Sequence, residues 1–500
     1  MVTCAGWKSR NYGDSTSDNA CFWSSISPGK FSDAERLRPF KTIPGEWISE
    51  SNFGILIGQV RDAFFLGCSF QQEACVIDLS EALELIEAHA LTLAPRRIQL
   101  CDAFGLTLAS PVIADVDSPS WDRAMMDGFA VCNDDFIRSE LASPEAVSLE
   151  VIADVAAGDP SSITIRSGTC ARIMTGAPLP TGADSVVPIE CARGTSRGAH
   201  TGSTVTLADK HFHSGQHVAI RGTFFGSGKE VMSIGMQLGA AEIGLATEAG
   251  ATHVTIHPRA RVSICSTGSE LVEPSEIPAF GQTRNSNGPM ISAAVQTCFA
   301  EPIPLGIAID HPEAIRATVA QGLAADVLIL SGGVSAGDYD LVPNILSLCG
   351  VTNVFHKVRL KPGKPVWFGV LDRDNGPRTL VFGLPGNPGS SLVCFELFVR
   401  PALAKLHGHS SERWHMPRVQ ARLTGAVKLG GDRPVFSPCR LSRSINNSEL
   451  WTASPMPWGG SSDLIGFCGA NGFLLVPVGV GMLPAGSEIT VAVRDQPMRL

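Results

Sequence analysis

Residues Asp326 to Asp340, with the sequence DVLILSGGVSAGDYD, place an apolar run directly before a glycine-rich loop. The run Val327–Leu330 predicts a strand buried on both faces, which is typical of a parallel sheet. Glycines let backbone N–H groups approach an anion closely, and the loop contains three of them: Gly332, Gly333 and Gly337. Asp338 and Asp340 could hold a divalent cation beside that anion. A glycine-rich turn that opens an ordinary helix would give the same pattern, because glycine motifs alone are weak signals.

Strand-like and helix-like segments alternate from Arg261 onward. In chain order they are RVSICSTG, PMISAAVQTCFA, IPLGIAI, PEAIRATVAQGLA, DVLILSGG, LVPNILSLCG, a pair of β segments and SSLVCFELFVRPAL. This alternation predicts a doubly wound, mostly parallel sheet with helices on both faces. Ligands of such sheets bind at the carboxyl ends of the strands, and STGSEL, SGGVSAG and LPGNPGSS all follow predicted strands.

Shifts of composition predict a multidomain α/β protein with further domains around that sheet. A helix is expected from Asp78, where DLSE resembles a capping box and apolar residues follow at helical spacing. The predicted segments are a partly disordered N-terminal extension (1–74), an elongated helical domain in two pieces (75–120 and 211–257), an inserted β domain (121–210), the α/β domain (258–410) and a small C-terminal β domain (411–500).

Composition excludes several classes of protein. The 500 residues are 44% hydrophobic and carry a formal charge of −9, which argues against a general nucleic-acid binder. No apolar run approaches the roughly 20 residues that a membrane helix needs. The 14 cysteines are scattered and form no CxxC pair, so we interpret them as reduced residues of a cytoplasmic protein.

Four ordered motifs resemble those of one enzyme family. STGSEL, SGGVSAGDYD, KPGKP and LPGNPGSSLVCFELFVRP are similar to motifs of the molybdenum insertases, also called molybdopterin molybdenumtransferases or MoeA, which include the E domain of gephyrin. Two upstream segments, DSPSWDRAMMDGFAV and RIMTGAPLPTGADSVVPIE, also resemble family signatures. The likeness covers about Ile77 to Leu500 and implies a molybdopterin-binding-like α/β domain.

The resemblance implies a reaction and partners. Family members insert molybdenum from molybdate into adenylylated molybdopterin and release AMP, assisted by Mg²⁺. It also implies a homodimer with a shared active site, and contacts with other molybdenum cofactor biosynthesis proteins or acceptor apoenzymes.

Five residues match catalytic positions of the family: Asp127, Thr175, Glu270, Asp310 and Asp340. Asp340 and Glu270 are implied as Mg²⁺ ligands, whereas Asp127 and Thr175 are implied to reach the crevice from the partner subunit. Simpler interpretations exist for three of them. Asp310 could cap the helix that follows it, and Asp127 and Thr175 could serve turn geometry.

A basic segment, FHKVRLKPGKP, predicts anion binding, because Lys357, Arg359 and Lys361 alternate along an expected strand and would share one face. A solvated face is the alternative interpretation. The full set of expected cofactor-binding residues is Ser266, Thr267, Gly268, Ser331, Gly332, Gly333, Ser335, Gly337, Arg359, Lys361, Lys364, Pro385, Gly386, Asn387 and Pro388.

Four positions depart from the family pattern. Arg123 replaces an Asn, Ser269 an Asp or Asn, Asn285 an Asp, and Phe224 an acid. The losses reduce negative charge around the expected site. Two other functions therefore stay open: molybdopterin adenylylation, whose smaller proteins share the α/β domain, and a scaffold that kept the fold without the chemistry.

Overall fold

The computed structural model describes residues 76–140, 146–159, 162–194, 198–334, 341–373, 376–428, 431–443 and 451–494. The predicted extension 1–74 lies outside these ranges, as does the loop 335–340. None of the helices in the described ranges combines the length and the apolarity that crossing a membrane requires.

The first described helix, α1 (Leu79–His89), packs against the α/β domain. Its Ala82 and Ile86 are fully buried in the same apolar cluster as the central sheet. The expected capping box is absent, because the Asp78 side chain makes no cap hydrogen bond and its carboxylate lies 3.3 Å from Arg359 Nε. The apolar stripe of α1 thus serves a different domain from the one that segment 75–120 was expected to build.

The chain then passes through three short strands into the β domain. The short strands are β1 (Arg96–Gln99), β2 (Thr107–Leu108) and β3 (Val112–Ile113). The next elements are β4 (Arg123–Ala124), β5 (Gly128–Val131), α2 (Asn133–Glu140), β6 (Val147–Val155), β7 (Thr169–Ile173), β8 (Ser185–Pro188) and β9 (Thr204–Leu207). Five of these strands form one sheet in the order β8-β5-β7-β6-β9. Phe129 and Ala130 enter apolar clusters on opposite faces, so both sides of the sheet are covered.

After the β domain the chain returns to the strands that precede it. The returning elements are β10 (Val218–Ala219), β11 (Glu230–Met232), α3 (Ala240–Glu248) and β12 (His253–His257). Pairing joins β12 to β1 and β2, β11 to β3, and β10 to β4, so the two pieces form one discontinuous body. We predicted a helical domain here, but α3 is the one α-helix among the described residues of this body, because α1 packs elsewhere.

The α/β domain is built on a six-stranded sheet in the order β16-β13-β17-β20-β19-β18. Its strands and the two small ones beside them are β13 (Arg261–Thr267), β14 (Leu271–Val272), β15 (Thr283–Arg284), β16 (Glu301–Ala308), β17 (Val327–Ser331), β18 (Thr352–His356), β19 (Trp367–Arg373) and β20 (Gly376–Leu384). Strands β16, β13, β17 and β20 pair in parallel, and β19 runs antiparallel to both its neighbours. The predicted mostly parallel sheet is confirmed.

Helices cover both faces of this sheet. They are α4 (Asn287–Thr297), α5 (Pro312–Gly322), α6 (Val342–Leu348), α7 (Pro388–Cys394) and α8 (Arg400–Leu406), with a π-helical turn Phe395–Val399 between the last two. Within β17, Val327 and Ile329 pack in the cluster with α1, α4, α7 and α8. Leu328 and Leu330 pack in the opposite cluster with α5 and α6. The doubly wound architecture follows from this alternation.

The C-terminal domain is a closed five-stranded barrel in the order β21-β23-β22-β24-β25. Its strands are β21 (Arg418–Leu423), β22 (Val435–Arg443), β23 (Trp451–Pro455), β24 (Gly472–Val476) and β25 (Glu488–Val493). Buried Glu396 of the α/β domain pairs with Arg400 at 3.0 Å and with Arg494 at 3.1 Å. This ion pair with Arg494 joins the barrel to the sheet domain.

Candidate active site

A cleft of about 790 Å³ lies at the carboxyl ends of β13, β17 and β20. Its position follows from the topology, because parallel strands end at one edge of a sheet and leave their loops there. The residues that we predicted and that line it are Thr267, Gly268, Glu270, Asp310, Ser331, Gly332, Gly333, Pro385, Gly386, Asn387 and Pro388. The motifs that follow three different strands therefore meet in one place.

The loop after β17 requires glycine for two reasons. Gly332 and Gly333 have φ angles of +99° and +62°, in the left-handed region that other residues rarely adopt. A Cβ on Gly332 would lie 2.4 Å from the Thr267 carbonyl oxygen. The Gly332 N–H donates to the Leu384 carbonyl at 3.0 Å, so it binds the neighbouring strand and not an anion. Ser335, Gly337, Asp338 and Asp340 lie outside the described residues.

Two acids reach the cleft from neighbouring strand ends. Glu270 is exposed, and its carboxylate lies so close to Gly268 that a Cβ there would be 2.6 Å from Oε2. Asp310 Oδ2 accepts the Ser269 N–H at 2.9 Å, and the Asp310 N–H donates to Ser269 Oγ at 3.1 Å. The helix-cap interpretation of Asp310 is wrong, because His311 holds that position. Asp310 instead holds the loop after β13.

An amide and hydroxyl network fixes the floor of the cleft. Ser266 does not line the cleft; it is 1% exposed and donates to Asn285 Oδ1 at 2.8 Å. The same oxygen accepts the Gly288 N–H at 3.0 Å, which ties the start of α4 to β13. Asn287 Nδ2 donates to Ser331 Oγ and to the Gly386 carbonyl, both at 2.7 Å. Asn287 was not among the residues predicted for the site, although its position in RNSN before a predicted helix was an available signal.

A second, basic cavity of about 470 Å³ adjoins the cleft. Lys361, Lys364 and Arg433 line it together with Ser461. The two cavities share a wall that consists of Pro365, Pro385 and Asn387. Arg433 and Ser461 belong to the C-terminal domain, and neither was predicted from the sequence.

The predicted basic strand face is wrong. Strand β18 ends at His356, and Lys357 has a φ of +74°. The chain then runs between two neighbours, because Val358 bridges to Ile77 and Lys361 to Val435. These contacts, rather than a regular strand, set the direction of the side chains. Arg359 pairs with Asp78 at 3.3 Å and lines neither cavity.

Asn387 connects the α/β domain to the barrel at the wall between the cavities. Its Nδ2 donates to Ser461 Oγ at 3.0 Å. Its Oδ1 accepts the hydroxyl of Ser462 at 2.8 Å. Ser461 lines the basic cavity, whereas Ser462 lines the cleft.

Asp127 and Thr175 form a pair in the β domain and line neither cavity. Asp127 Oδ1 accepts the Thr175 N–H at 2.7 Å and the Thr175 hydroxyl at 2.8 Å. These two bonds, the backbone one first, lower the pKa of Asp127 below its ordinary value. Exposed apolar side chains occur on the segments around the pair: Trp121, Met125, Met126, Met174 and Phe224.

The described part of the chain contains no group of three His, Cys, Asp or Glu side chains that could hold a metal ion. Glu270 fits one ligand position for Mg²⁺, which prefers oxygen donors and is often bound by one or two carboxylates with phosphates and water. The expected second ligand, Asp340, lies outside the described residues.

Three family models match the chain in order. "MoeA N-terminal region (domain I and II)" matches residues 77–250, "Probable molybdopterin binding domain" residues 263–405, and "MoeA C-terminal region (domain IV)" residues 420–493. The chain is 34% identical over 395 residues to a molybdopterin molybdenumtransferase of a Nostoc species, covering 79% of this chain and 87% of that protein. Molybdopterin molybdenumtransferase 2 of Mycobacterium tuberculosis is 32% identical over 403 residues, covering 79% and 94%.

A crystal structure of the Pyrococcus horikoshii molybdopterin biosynthesis MoeA protein has a similar fold, with a TM-score of 0.66 and 28% identity. It covers 84% of this chain and 99% of its own. The resemblance that the motifs predicted is confirmed. The chain belongs to the molybdopterin molybdenumtransferase (MoeA) family.

Proposed function

We propose that this chain inserts molybdenum from molybdate into adenylylated molybdopterin and releases AMP. The observation that carries the proposal is the pair of adjoining cavities, one larger, the other smaller and lined by three cationic side chains. A reaction between a pterin nucleotide and a metal oxyanion needs two such sites side by side. The related enzymes are named for the transfer of molybdenum to molybdopterin.

The basic cavity suits molybdate. Lys361, Lys364 and Arg433 are donors only, and their charges offset the charge of a tetrahedral oxyanion. Ser461 adds a neutral hydroxyl. The chain as a whole carries a charge of −9, so the anion is attracted by these side chains and not by the overall field.

The cleft suits the pterin nucleotide. Thr267, Ser331 and Ser462 place hydroxyl groups along its walls. Glu270 would hold Mg²⁺ together with Asp340, and the cation would neutralise charge on the phosphoanhydride when bound. Asp310 keeps the loop that carries Glu270 in place through Ser269.

We further propose a homodimer in which Asp127 and Thr175 of one subunit complete the cleft of the other. Their pairing holds the Asp127 carboxylate in its charged form at the surface. The exposed apolar side chains near the pair are of the type that protein interfaces bury. Contacts with other molybdenum cofactor biosynthesis proteins or acceptor apoenzymes stay a prediction of the family resemblance.

We propose that the protein acts in the cytoplasm. The described cysteines are all free thiols, and burial raises the pKa of Cys265 to about 11 and that of Cys439 to about 12. Free thiols of this kind are typical of proteins in a reducing compartment.

An assay with adenylylated molybdopterin, molybdate and Mg²⁺ tests the reaction. We expect AMP release that depends on molybdate, together with formation of the molybdenum cofactor. In a parallel assay with molybdopterin and ATP, ATP consumption with pyrophosphate release would instead identify an adenylyltransferase. If the dimer catalyses neither reaction, the scaffold function replaces this proposal.

A further inference from the structure

In the wall between the cavities, the Asn387 side chain hydrogen-bonds two consecutive serines, one of which lines each cavity. Ser461 and Ser462 bind the same amide of Asn387, yet the first lines the basic cavity and the second lines the cleft. The Gly389 N–H also donates to the Ser461 carbonyl at 2.9 Å, which holds this serine loop against the start of α7. A change at either serine therefore alters the hydrogen bonding of the Asn387 amide.

The chemistry of the three groups gives this contact a direction. An amide nitrogen only donates, so Ser461 Oγ accepts from Asn387 Nδ2 and keeps its own proton for a ligand. An amide oxygen only accepts, so Ser462 donates to Asn387 Oδ1 and keeps its lone pairs for a ligand. The Ser461 proton can then be given to an anion in the basic cavity. The Ser462 oxygen can accept a proton donor in the cleft.

We propose that the relay Ser462, Asn387, Ser461 couples the two cavities, so that a hydrogen-bond donor bound in the cleft tightens oxyanion binding in the basic cavity. The ligands in this inference are those of the proposed function, on which it rests. Asn387 acts as a positioning residue, since it reaches both ligands through the serines.

Two effects add in the same direction. Hydrogen bonds in a chain polarise one another, so donation to Ser462 strengthens donation by Ser461. The first ligand also immobilises the amide and the serine loop, and the second ligand then binds groups that are already ordered. We expect the affinity of one ligand to rise about two- to tenfold when the other is bound.

Isothermal titration calorimetry on the wild-type protein tests the coupling. Molybdate is titrated with and without saturating AMP, and AMP with and without saturating molybdate, at constant Mg²⁺. Both ligands should bind more tightly in each other's presence, and by the same factor, because coupling between two sites is reciprocal. In Asn387→Ala each ligand should still bind, and the factor should fall to one.

Further variants separate the relay from a general loss of structure. Asn387→Asp keeps an acceptor for Ser462 but has no donor for Ser461, so the coupling should also vanish there. Ser461→Ala removes the relay's contact with the basic cavity and Ser462→Ala its contact with the cleft, so each should abolish the coupling. These two variants test the relay if Asn387→Ala does not fold. Asn471→Ala is the matched control, because the Asn471 amide binds the Leu441 backbone inside the barrel. It should leave the coupling intact.

The outcomes distinguish two failures. A wild-type protein that binds no molybdate would overturn the proposed function, and the relay with it. Binding of both ligands without coupling would overturn the relay alone. So would weaker binding of one ligand in the presence of the other, or coupling that persists in Asn387→Ala.

Discussion

The cleft and the basic cavity share a wall, but the chain builds them in different ways. Most of the cleft is lined by short stretches that directly follow strands of one sheet, such as Gly332-Gly333 after β17, and Ser462 of the barrel adds to its wall. The basic cavity joins Lys361 and Lys364 to Arg433 in the barrel, and a bridge between Lys361 and Val435 holds these parts together. A site at strand ends is thus encoded locally, whereas a site between domains depends on how the domains dock.

The largest effect should come from removing the cleft carboxylate. Glu270→Gln keeps the size of the side chain but loses the charge, so AMP release should fall by a factor of about 100 or more, as for loss of a catalytic acid–base or charged group. Single-turnover AMP release measures this. Molybdate affinity should stay unchanged, because Glu270 does not line the basic cavity.

The matched control is Glu273→Gln, which removes an exposed carboxylate at the other end of β14, outside the cleft. Its AMP release should match that of the wild type. Equal rates of AMP release by wild type and Glu270→Gln would mean that the cleft carboxylate does not take part in the reaction as proposed.

The second effect belongs to the basic cavity. Arg433→Ala should weaken molybdate binding by about 1.5–3 kcal/mol, the typical contribution of a hydrogen bond to a charged group. Lys361→Ala should behave similarly, while AMP affinity should change little in both. Arg422→Ala removes an exposed arginine of β21 that lines neither cavity, and it should bind molybdate normally. Calorimetric affinities that do not differ among these proteins would show that the basic side chains are merely solvated.

The same contrast explains what could be predicted from sequence. Strand β17 and its glycines were predictable, because a buried apolar run and two residues with positive φ leave direct signals. No comparable signal in the sequence predicted that Arg433 and Ser461 of the barrel would line a cavity with Lys361 and Lys364. The alternation of Lys357 and Arg359 was misleading. Strand β18 ends at His356 and Lys357 has a left-handed backbone, so these residues do not lie on a strand.

Some site residues have structural roles that only the fold reveals. Ser266 was expected to bind cofactor, but its hydroxyl is used by Asn285 inside the domain. Helix α1 showed clear helical spacing, yet spacing does not identify the domain that buries its apolar face. Sequence periodicity gives the element, and tertiary contacts decide its neighbours.

A third test asks whether the cleft is completed by a second subunit. Asp127→Asn and Glu270→Gln should each be nearly inactive alone. Mixing equal amounts after dissociation and reassociation should restore about a quarter of wild-type activity, because half of the dimers are then mixed and each has one intact site. Mixing Glu270→Gln with Arg433→Ala, whose changes fall in the same site, is the control, and its activity should equal the mean of its two parents. Mixed samples that stay as inactive as their parents would show that Asp127 does not act across the interface.

The smallest effect concerns the Asp127–Thr175 pair. Thr175→Ala removes the hydroxyl bond but keeps the backbone N–H bond, so the lowered pKa of Asp127 should rise part of the way to its ordinary value. The charged form is then lost at higher pH than in the wild type, and the acid limb of the pH profile for AMP release should move upward. Carbon-13 NMR of labelled aspartate measures the shift directly. Thr201→Ala removes the equivalent hydroxyl from Asp154 in the same domain and should leave the titration of Asp127 unchanged. If Thr175→Ala instead titrates as the wild type does, the hydroxyl bond does not hold the charge, and the backbone N–H alone keeps this carboxylate ready for the neighbouring cleft.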